Sequence, residues 1–164
     1  MPFDAFLKIE GISGESTDAK HSEQIEVLSF GHGVEQPQSG TASSHGSLSA
    51  ERANFHPFVI VKGLDKASPK LALGCADGTH YTTAVLEICR AGGDKQPYME
   101  YKMTDVMVSS IESGGNSQGE QIPTERITLS YGKIEWKYTM TKVAGGQGSG
   151  NVAAGWDLKT NKKV

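Results

Sequence analysis

Apolar and polar residues alternate along the stretch Glu125–Thr139, which is predicted to be the central strand of the fold. Its apolar positions are Ile127, Leu129 and Tyr131 before Gly132, and Ile134, Trp136 and Tyr138 after it. A period of two is typical of a strand with one buried face, and one extra residue at a glycine is typical of a β-bulge. The pattern therefore favours one long strand, bent at a bulge at Gly132, that takes part in two sheets or turns a barrel corner. The alternative is two short strands that meet at a Gly132 turn.

Shorter apolar runs predict five further strands. They are Phe3–Glu10, Ile25–Val34, Phe55–Val61, Thr82–Arg90 and Tyr98–Ser110. The second of these strands has apolar residues in both phases, which indicates either burial of both faces or a bend at Ser29. In the last one the apolar phase shifts near Asp105, so we expect a second irregularity that faces Gly132 on the partner strand.

One segment, Leu64–Gly78, has the pattern of a helix. Asp65 or Ser68 can cap its start, because their side-chain oxygens accept hydrogen bonds from first-turn amides. The pair Asp77-Gly78 is expected to end it. Leu64, Leu71 and Cys75 fall roughly on one face, so we expect a single short amphipathic helix that packs on the sheets.

Two polar stretches have no periodicity. The first, Glu35–Asn54, is called the arm here and is predicted to be a long loop or a weakly paired segment. Loops of this length without structure are usually functional or disordered, so we expect a neighbouring molecule to order it. The second, Ala144–Gly155, is a flexible linker by composition. It leads to Trp156 and Leu158, which are expected to anchor the C-terminal tail.

The 164 residues suffice for one sizeable core but not for two. Residues 1–60 hold eight acidic and three basic residues, a balance of −5, and the remaining eleven acidic and thirteen basic residues give +2. This separation suits head-to-tail self-association. The alternative is that the lysines near the C-terminus are merely solvated; they are Lys159, Lys162 and Lys163. The net charge of −3 argues against a nucleic-acid partner. No apolar run reaches the ~20 residues of a membrane helix, and the N-terminus has no signal-peptide pattern, so we expect synthesis in the cytoplasm without membrane insertion.

Residue patterns for catalysis or cofactor binding are lacking. The five histidines stand apart without metal-ligand spacing, and the glycine-rich pieces at Gly31–Gly33 and Gly146–Gly150 lack the context of a phosphate loop. A Gly-x-Ser-x-Gly motif is missing too. Cys75 and Cys89 are expected to be free thiols, with a disulfide between them as the alternative. The sequence therefore indicates no catalytic, cofactor or metal site, and a structural or binding protein.

Segments along the whole chain resemble the haemolysin-coregulated protein (Hcp) family. They are FLKIEGISGES (Phe6–Ser16), IEVLSFGHGV (Ile25–Val34), GTHYTTAVLEICRAGG (Gly78–Gly93), YMEYKMTDVMVSSIESGG (Tyr98–Gly115), PTERITLSYGKI (Pro123–Ile134) and GWDLKTNKK (Gly155–Lys163). The resemblance implies one domain over residues 1–164. Its fold is mainly β: two antiparallel β-sheets closed into a β-barrel, with one short α-helix at the side and a long extended loop.

The resemblance also implies a function as the tube protein of the bacterial type VI secretion system. Such proteins form homohexameric rings that stack into a tube, work with sheath and spike proteins, and hold small effector proteins in the lumen. The protein would be cytoplasmic before firing and then secreted or delivered to a target cell. The alternatives are an enzyme and a stand-alone carbohydrate- or protein-binding β module.

Candidate site residues follow from the same resemblance. In the family, the residue after a Gly-Gly pair in the loop before the central strand faces the channel. Here that residue is Asn116, with Ser113 and Ser117 beside it; the alternative is an ordinary solvent-exposed hairpin. The arm has no matched motif. Its expected ring-stacking contacts are Gln38, Ser43, His45 and Leu48.

Overall fold

The computed structural model describes residues 2–39, 49–119, 122–140 and 150–164. The strands are β1 Phe3–Ile9, β2 Ile25–Val27, β3 Ser29–Gly31, β4 Val34–Glu35, β5 Gln38–Ser39, β6 Ser49–Ala50, β7 Asn54–Phe55, β8 Phe58–Gly63, β9 His80–Arg90, β10 Pro97–Gly114, β11 Thr124–Thr139, β12 Asn151–Asp157 and β13 Lys162–Lys163. Within these ranges one helix forms, α1 Ser68–Asp77. The fold is thus mainly β with antiparallel pairing and a short helix, as predicted. At ten residues, α1 is too short to span a membrane.

The strands form one large antiparallel sheet in the order β13-β12-β11-β10-β9-β1-β2, which β8 and β3 extend. β11 is continuous through Gly132, so the prediction of one long strand is confirmed. Its first half, Thr124–Leu129, pairs with β8, and its second half, Lys133–Thr139, pairs with β12. The change of partner occurs around Gly132.

A bulge at Gly132 was the expected cause of the phase change, and that explanation is wrong. The register with β10 is the same on both sides, since Val106 faces Tyr131 and Thr104 faces Lys133. The residue opposite Gly132 is Asp105, which has a left-handed φ of 56°. Irregularities in both strands therefore coincide, and the buried phase changes without a register shift. The pairing of β10 with β11 does shift register at another place, between Val108 and Ser110.

The predicted strand Ile25–Val34 is divided at Leu28, one residue before the expected bend at Ser29. β2 pairs with β1, whereas β3 pairs with β8. The Leu28 side chain points outward and is 61% exposed. The apolar residues of both phases therefore reflect a bend and not a strand buried on both faces.

The helix begins later than predicted, and its predicted cap is also wrong. The N-cap is Ala67, and it makes no side-chain capping bond. Asp65 instead accepts hydrogen bonds from the Ala67 amide (2.9 Å) and Lys62 Nζ (2.7 Å), which fixes the turn before the helix. Gly78, with φ +70°, ends the helix as expected, because a left-handed residue at this position favours glycine.

The hydrophobic core is formed by the inner face of the large sheet, β8 included, and by α1. Its fully buried larger side chains include Leu7, Ile25, Phe58, Ile60, Leu71, Leu86, Met103, Ile127, Leu129 and Ile134. The arm leaves this core as a hairpin, because β4 pairs with β7 and β5 pairs with β6. The described part of the arm thus has two short ladders, which agrees with the predicted weakly paired segment and not with a loop.

Candidate functional site

The hairpin between β10 and β11 holds the three residues expected at a channel. Pairing of the two strands ends at Gly114. Asn116 Oδ1 accepts a hydrogen bond from the Gln118 amide (3.0 Å), so this side chain shapes its own turn. Asn116 and Ser117 are exposed. Ser113 is exposed too, and its Oγ donates to Glu125 Oε1 (3.1 Å). These residues share one hairpin end and present short polar groups to solvent.

The residues expected to mediate stacking are only partly described. Gln38 is exposed and pairs with Ala50 in the outer ladder of the arm. Ser43, His45 and Leu48 lie outside the described residues. Nearer the base, Gln36 Nε2 donates to the Glu51 carbonyl (2.6 Å) and closes the hairpin between its two ladders.

Trp156 and Leu158 lie where the tail meets the sheet and the arm. Trp156 is opposite Ile134 in the pairing of β12 with β11. The Leu158 amide donates to the Gly132 carbonyl (2.9 Å). The Leu158 carbonyl accepts from Arg52 Nη2 (2.9 Å). Both residues predicted as an anchor therefore contact the central strand or the arm.

Phe55, at the base of the arm, packs on the two tryptophans. Its ring centroid is 6.2 Å from that of Trp136 and 6.4 Å from that of Trp156, with interplanar angles of 19° and 20°. The periodicity of the strands did not predict this cluster. The sequence does contain one signal, an aromatic residue at the end of the polar arm. Alternation of apolar and polar residues within a strand does not reveal which distant rings such a residue contacts.

His32 extends the aromatic cluster into the core. Its ring lies 5.3 Å from Phe58 and 6.1 Å from Trp136. Trp136 Nε1 donates to His32 Nε2 (3.4 Å), a nitrogen that accepts only in the neutral imidazole. Burial lowers the pKa of His32, in agreement with that role. The cluster therefore contains a neutral histidine.

Asp105, at the irregularity in β10, connects the strand kink to the tail. Its carboxylate binds Lys159 Nζ and lies 3.0 Å from His80 Nδ1. Hydrogen bonds from Lys159 and then His80 hold the pKa of Asp105 below its usual range. The kink, which leaves Asp105 out of the regular pairing, thus provides a carboxylate that fixes the tail.

Lys62 is a fully buried cation at the end of β8. Its Nζ lies 2.7 Å from Asp65 Oδ1, 2.8 Å from Glu125 Oε2, 3.1 Å from Ser68 Oγ and 3.0 Å from the carbonyl of Gly63. This network ties the start of α1 to β8 and β11. Apolar periodicity alone does not predict this network, although the period of β8 places Lys62 in the same buried phase as its apolar residues.

A buried cysteine, histidine and carboxylate meet near β1 in an arrangement that superficially resembles a catalytic triad. His21 Nδ1 lies 2.7 Å from Asp18, but Nε2 lies 2.6 Å from Glu87 and 3.9 Å from Cys89 Sγ. Burial, followed by the charge of Glu87, raises the pKa of the Cys89 thiol to about 11. The thiol therefore stays protonated at neutral pH, and a thiol nucleophile must be a thiolate. Stacking of His21 on Phe6 at 4.3 Å completes a structural cluster.

A cleft of about 540 Å³ lies between the start of α1, the bend at Leu28 and the approach to β11. Leu28, Leu64 and Ile122 line it and are 61%, 43% and 69% exposed. Glu15 and Glu26 also line it and contribute negative charge. Contiguous exposed apolar side chains with a polar rim are typical of a protein interface.

Known proteins match this chain over most of its length. Residues 6–138 match the family model described as "Type VI secretion system effector, Hcp". "Protein hcp1" of Pseudomonas aeruginosa is 36% identical over 162 residues, which cover 98% of each chain. "Major exported protein" of the same organism is 26% identical over 144 residues, or 80% of this chain and 78% of that protein.

Two solved structures are similar in both sequence and fold. One is described as "Structure of a type six secretion system protein"; it is 36% identical, with a TM-score of 0.93 over 99% of this chain and all of that chain. The other is the crystal structure of Hcp1 from Salmonella typhimurium, which is 34% identical with a TM-score of 0.81 and full coverage of both chains.

Proposed function

The chain belongs to the Hcp family of type VI secretion proteins, and from that premise we propose that it forms hexameric rings that stack into the secretion tube. Its role is structural and not catalytic. The ring lumen carries small effector proteins, and the tube works with the sheath and spike proteins of the same system. The protein is cytoplasmic before firing and leaves the cell with the tube.

The subunit of this ring is proposed to be a single domain with a closed β-barrel. Support comes from the order of hydrogen-bonded neighbours. β1 pairs with β2 and β9, β9 pairs with β10, β10 with β11, β11 with β8, and β8 with β3. Between β2 and β3, the Leu28 amide donates to the Val61 carbonyl of β8 (2.8 Å). That hydrogen bond brings the chain after β2 onto β8, which supports closure of the circuit.

The exposed apolar cleft is the observation that best supports a ring. Leu28, Leu64 and Ile122 together expose a patch that a neighbouring copy of the chain would remove from water. Its acidic lining residues, Glu15 and Glu26, suit a partner surface drawn from residues 61–164, which carry the balance of +2. A heterologous contact of this kind closes into a ring when the rotation between subunits allows it.

The test is the oligomeric state of cleft variants, measured by light scattering. We expect the parent protein to scatter as about six times its 17.5 kDa subunit mass. Leu28→Glu and Ile122→Glu should give smaller species, because a carboxylate buried at an interface without a partner is strongly unfavourable. Leu73→Glu is the matched control, since Leu73 is 64% exposed on α1. A monodisperse parent monomer at micromolar concentration would contradict the ring, and unchanged hexamers of both cleft variants would exclude this cleft as its interface.

The remaining residues are assigned within this assembly. Asn116, Ser113 and Ser117 are proposed to face the lumen and contact effectors, because the hairpin end exposes short polar groups. The arm is proposed to reach the adjacent ring, with Gln38 on its described outer ladder.

A further inference from the structure

The base of the arm rests on the C-terminal tail. We propose that the segment Trp156–Leu158 positions the arm, so that the tail acts as a positioning element for ring-to-ring contacts. The positioning itself follows from contacts within one chain. Its consequence for stacking rests on the proposed function.

The arm hairpin has little stability of its own. Each of its ladders, β4 with β7 and β5 with β6, has two residues per strand. An isolated two-stranded hairpin is marginally stable at best in water. Contacts of the arm base with the rest of the protein must therefore determine where the arm points.

The first such contact is aromatic. Trp136 and Trp156 belong to adjacent strands, β11 and β12, and Phe55 is the last residue of β7. Phe55 stacks on both indoles at nearly parallel angles of 19° and 20°. One of the two rings that support the arm thus comes from the tail. Aromatic pairs at such distances contribute beyond the area that they bury.

The second contact is a hydrogen bond. Arg52 Nη2 donates to the Leu158 carbonyl at 2.9 Å. The amide of the same leucine donates to the carbonyl of Gly132 at 2.9 Å. Leu158 therefore connects the arm to Gly132 of the central strand through its two backbone groups, and a guanidinium donor makes the link to the arm stronger than a neutral one.

A third contact comes from the central strand itself. The Tyr131 hydroxyl donates to the His56 carbonyl (2.8 Å) directly after β7. This bond does not involve the tail. Loss of the tail contacts should therefore loosen the arm without detaching its base, and the effect should be graded.

The experiment is hydrogen–deuterium exchange of the full-length assembled protein, followed in peptides that cover 33–39 and 49–56. The variants are Arg52→Ala and Trp156→Ala, with Trp156→Phe as the conservative change that keeps a ring under Phe55. Lys162→Ala is the matched control, because it removes a basic side chain from the tail and leaves both contacts in place. Exchange in the arm base should accelerate between about two- and tenfold in the two alanine variants, the range for one hydrogen bond in a local opening equilibrium.

Peptides of β12 serve as an internal reference. If Trp156→Ala also exposes β12, then Arg52→Ala alone decides the outcome, since its side chain lies outside the tail. Parent-like exchange of the arm base in Arg52→Ala, or in a Trp156→Ala variant whose β12 stays protected, would overturn the proposal.

Electron micrographs of the same samples separate this inference from the proposed function. Faster exchange in the arm together with shorter tubes supports both. Faster exchange with tubes of parental length keeps the positioning role and refutes the role of the arm in stacking. Hexamers are expected for every variant, because neither contact involves the cleft.

Discussion

Replacement of the buried Lys62 by methionine should be strongly destabilising. Methionine retains much of the length of the side chain but removes the charge and all hydrogen-bond donors. Four oxygen atoms within 3.1 Å of Nζ would each lose one hydrogen-bond donor. The most severe loss is at Glu125, whose side chain is only 3% exposed.

The expected magnitude follows from the uncompensated charge. Removing one member of a buried ion pair costs about 3–5 kcal/mol, a large part of the ~5–15 kcal/mol that stabilises a typical domain. Lys66→Met is the matched control. Lys66 Nζ lies 3.8 Å from Glu23, and the two side chains are 49% and 69% exposed. Such a surface pair contributes about 0–1 kcal/mol.

The loss should depend on pH. In the parent, burial raises the pKa of Glu125, but hydrogen bonds from Lys62, Ser68 and Ser113 outweigh it and the pKa is lowered overall. Glu125 therefore stabilises the folded protein at neutral pH, and this contribution is lost as pH falls below the ordinary pKa of glutamate. Without Lys62, burial should dominate and raise the pKa of Glu125. Acidification then stabilises the variant, because it protonates this carboxylate. The difference in the free energy of unfolding between variant and parent should therefore shrink as pH falls from 7 to 5.

Urea unfolding followed by tryptophan fluorescence, at one protein concentration for all variants, measures these effects. The double variant Lys62→Met/Glu125→Gln should recover part of the loss, because it no longer buries an unpaired carboxylate at position 125. A loss below about 1 kcal/mol for Lys62→Met, or a double variant no more stable than the single one, would refute this reasoning.

Three further predictions concern His32, the hairpin loop and the arm. Burial lowers the pKa of His32, so the unfolded chain takes up its proton first and the folded protein loses stability as pH falls below ~6.5. His32→Gln should make the melting temperature depend less on pH between pH 7.5 and 5.5. A melting temperature that falls as steeply with pH as that of the parent would contradict this. Asn116→Arg should impair effector retention in pull-down assays while hexamers persist; loss of the ring with retained effector binding would reverse the assignment. Deletion of Gln38–Leu48 should leave hexamers but shorten tubes in micrographs, and parental tubes should shorten as salt rises, because exposed charges are screened beyond ~8 Å at physiological ionic strength; equal stacking of the deleted protein at low salt would exclude the arm.

Periodicity predicted the strands well because one face of each strand meets the core. It placed β1, β9 and β11 within two residues of their observed bounds, but it ended β10 four residues early and merged β7 with β8. The end of the predicted linker Ala144–Gly155 instead belongs to β12, whose first four residues are exposed and show no buried face. Periodicity misjudged Gly132, because a phase change along one strand does not reveal what its neighbour does. Asp105 shows the same change in β10, and the coincidence preserves the register. Only the pairing of the two strands distinguishes this from a bulge.

Features that depend on residues far apart in the chain could not be predicted from periodicity. The start of α1 was predicted too early, because Asp65 Oδ1 binds Lys62 Nζ as well as the Ala67 amide and fixes a turn before the helix. The cleft joins Leu28 to Ile122, and the arm base joins Arg52 to Leu158. Such contacts are set by topology, and local pattern alone does not determine topology.

The hydrogen bond between Arg52 and Leu158 spans 106 positions of the chain. A ribosome that adds about 5–20 residues per second needs roughly 5–20 s to make that stretch. During this interval neither Trp156 nor Leu158 is present to support the arm, whose own two-residue ladders are marginally stable. A chain whose synthesis stops before Leu158 therefore lacks the contacts that hold the base of its arm.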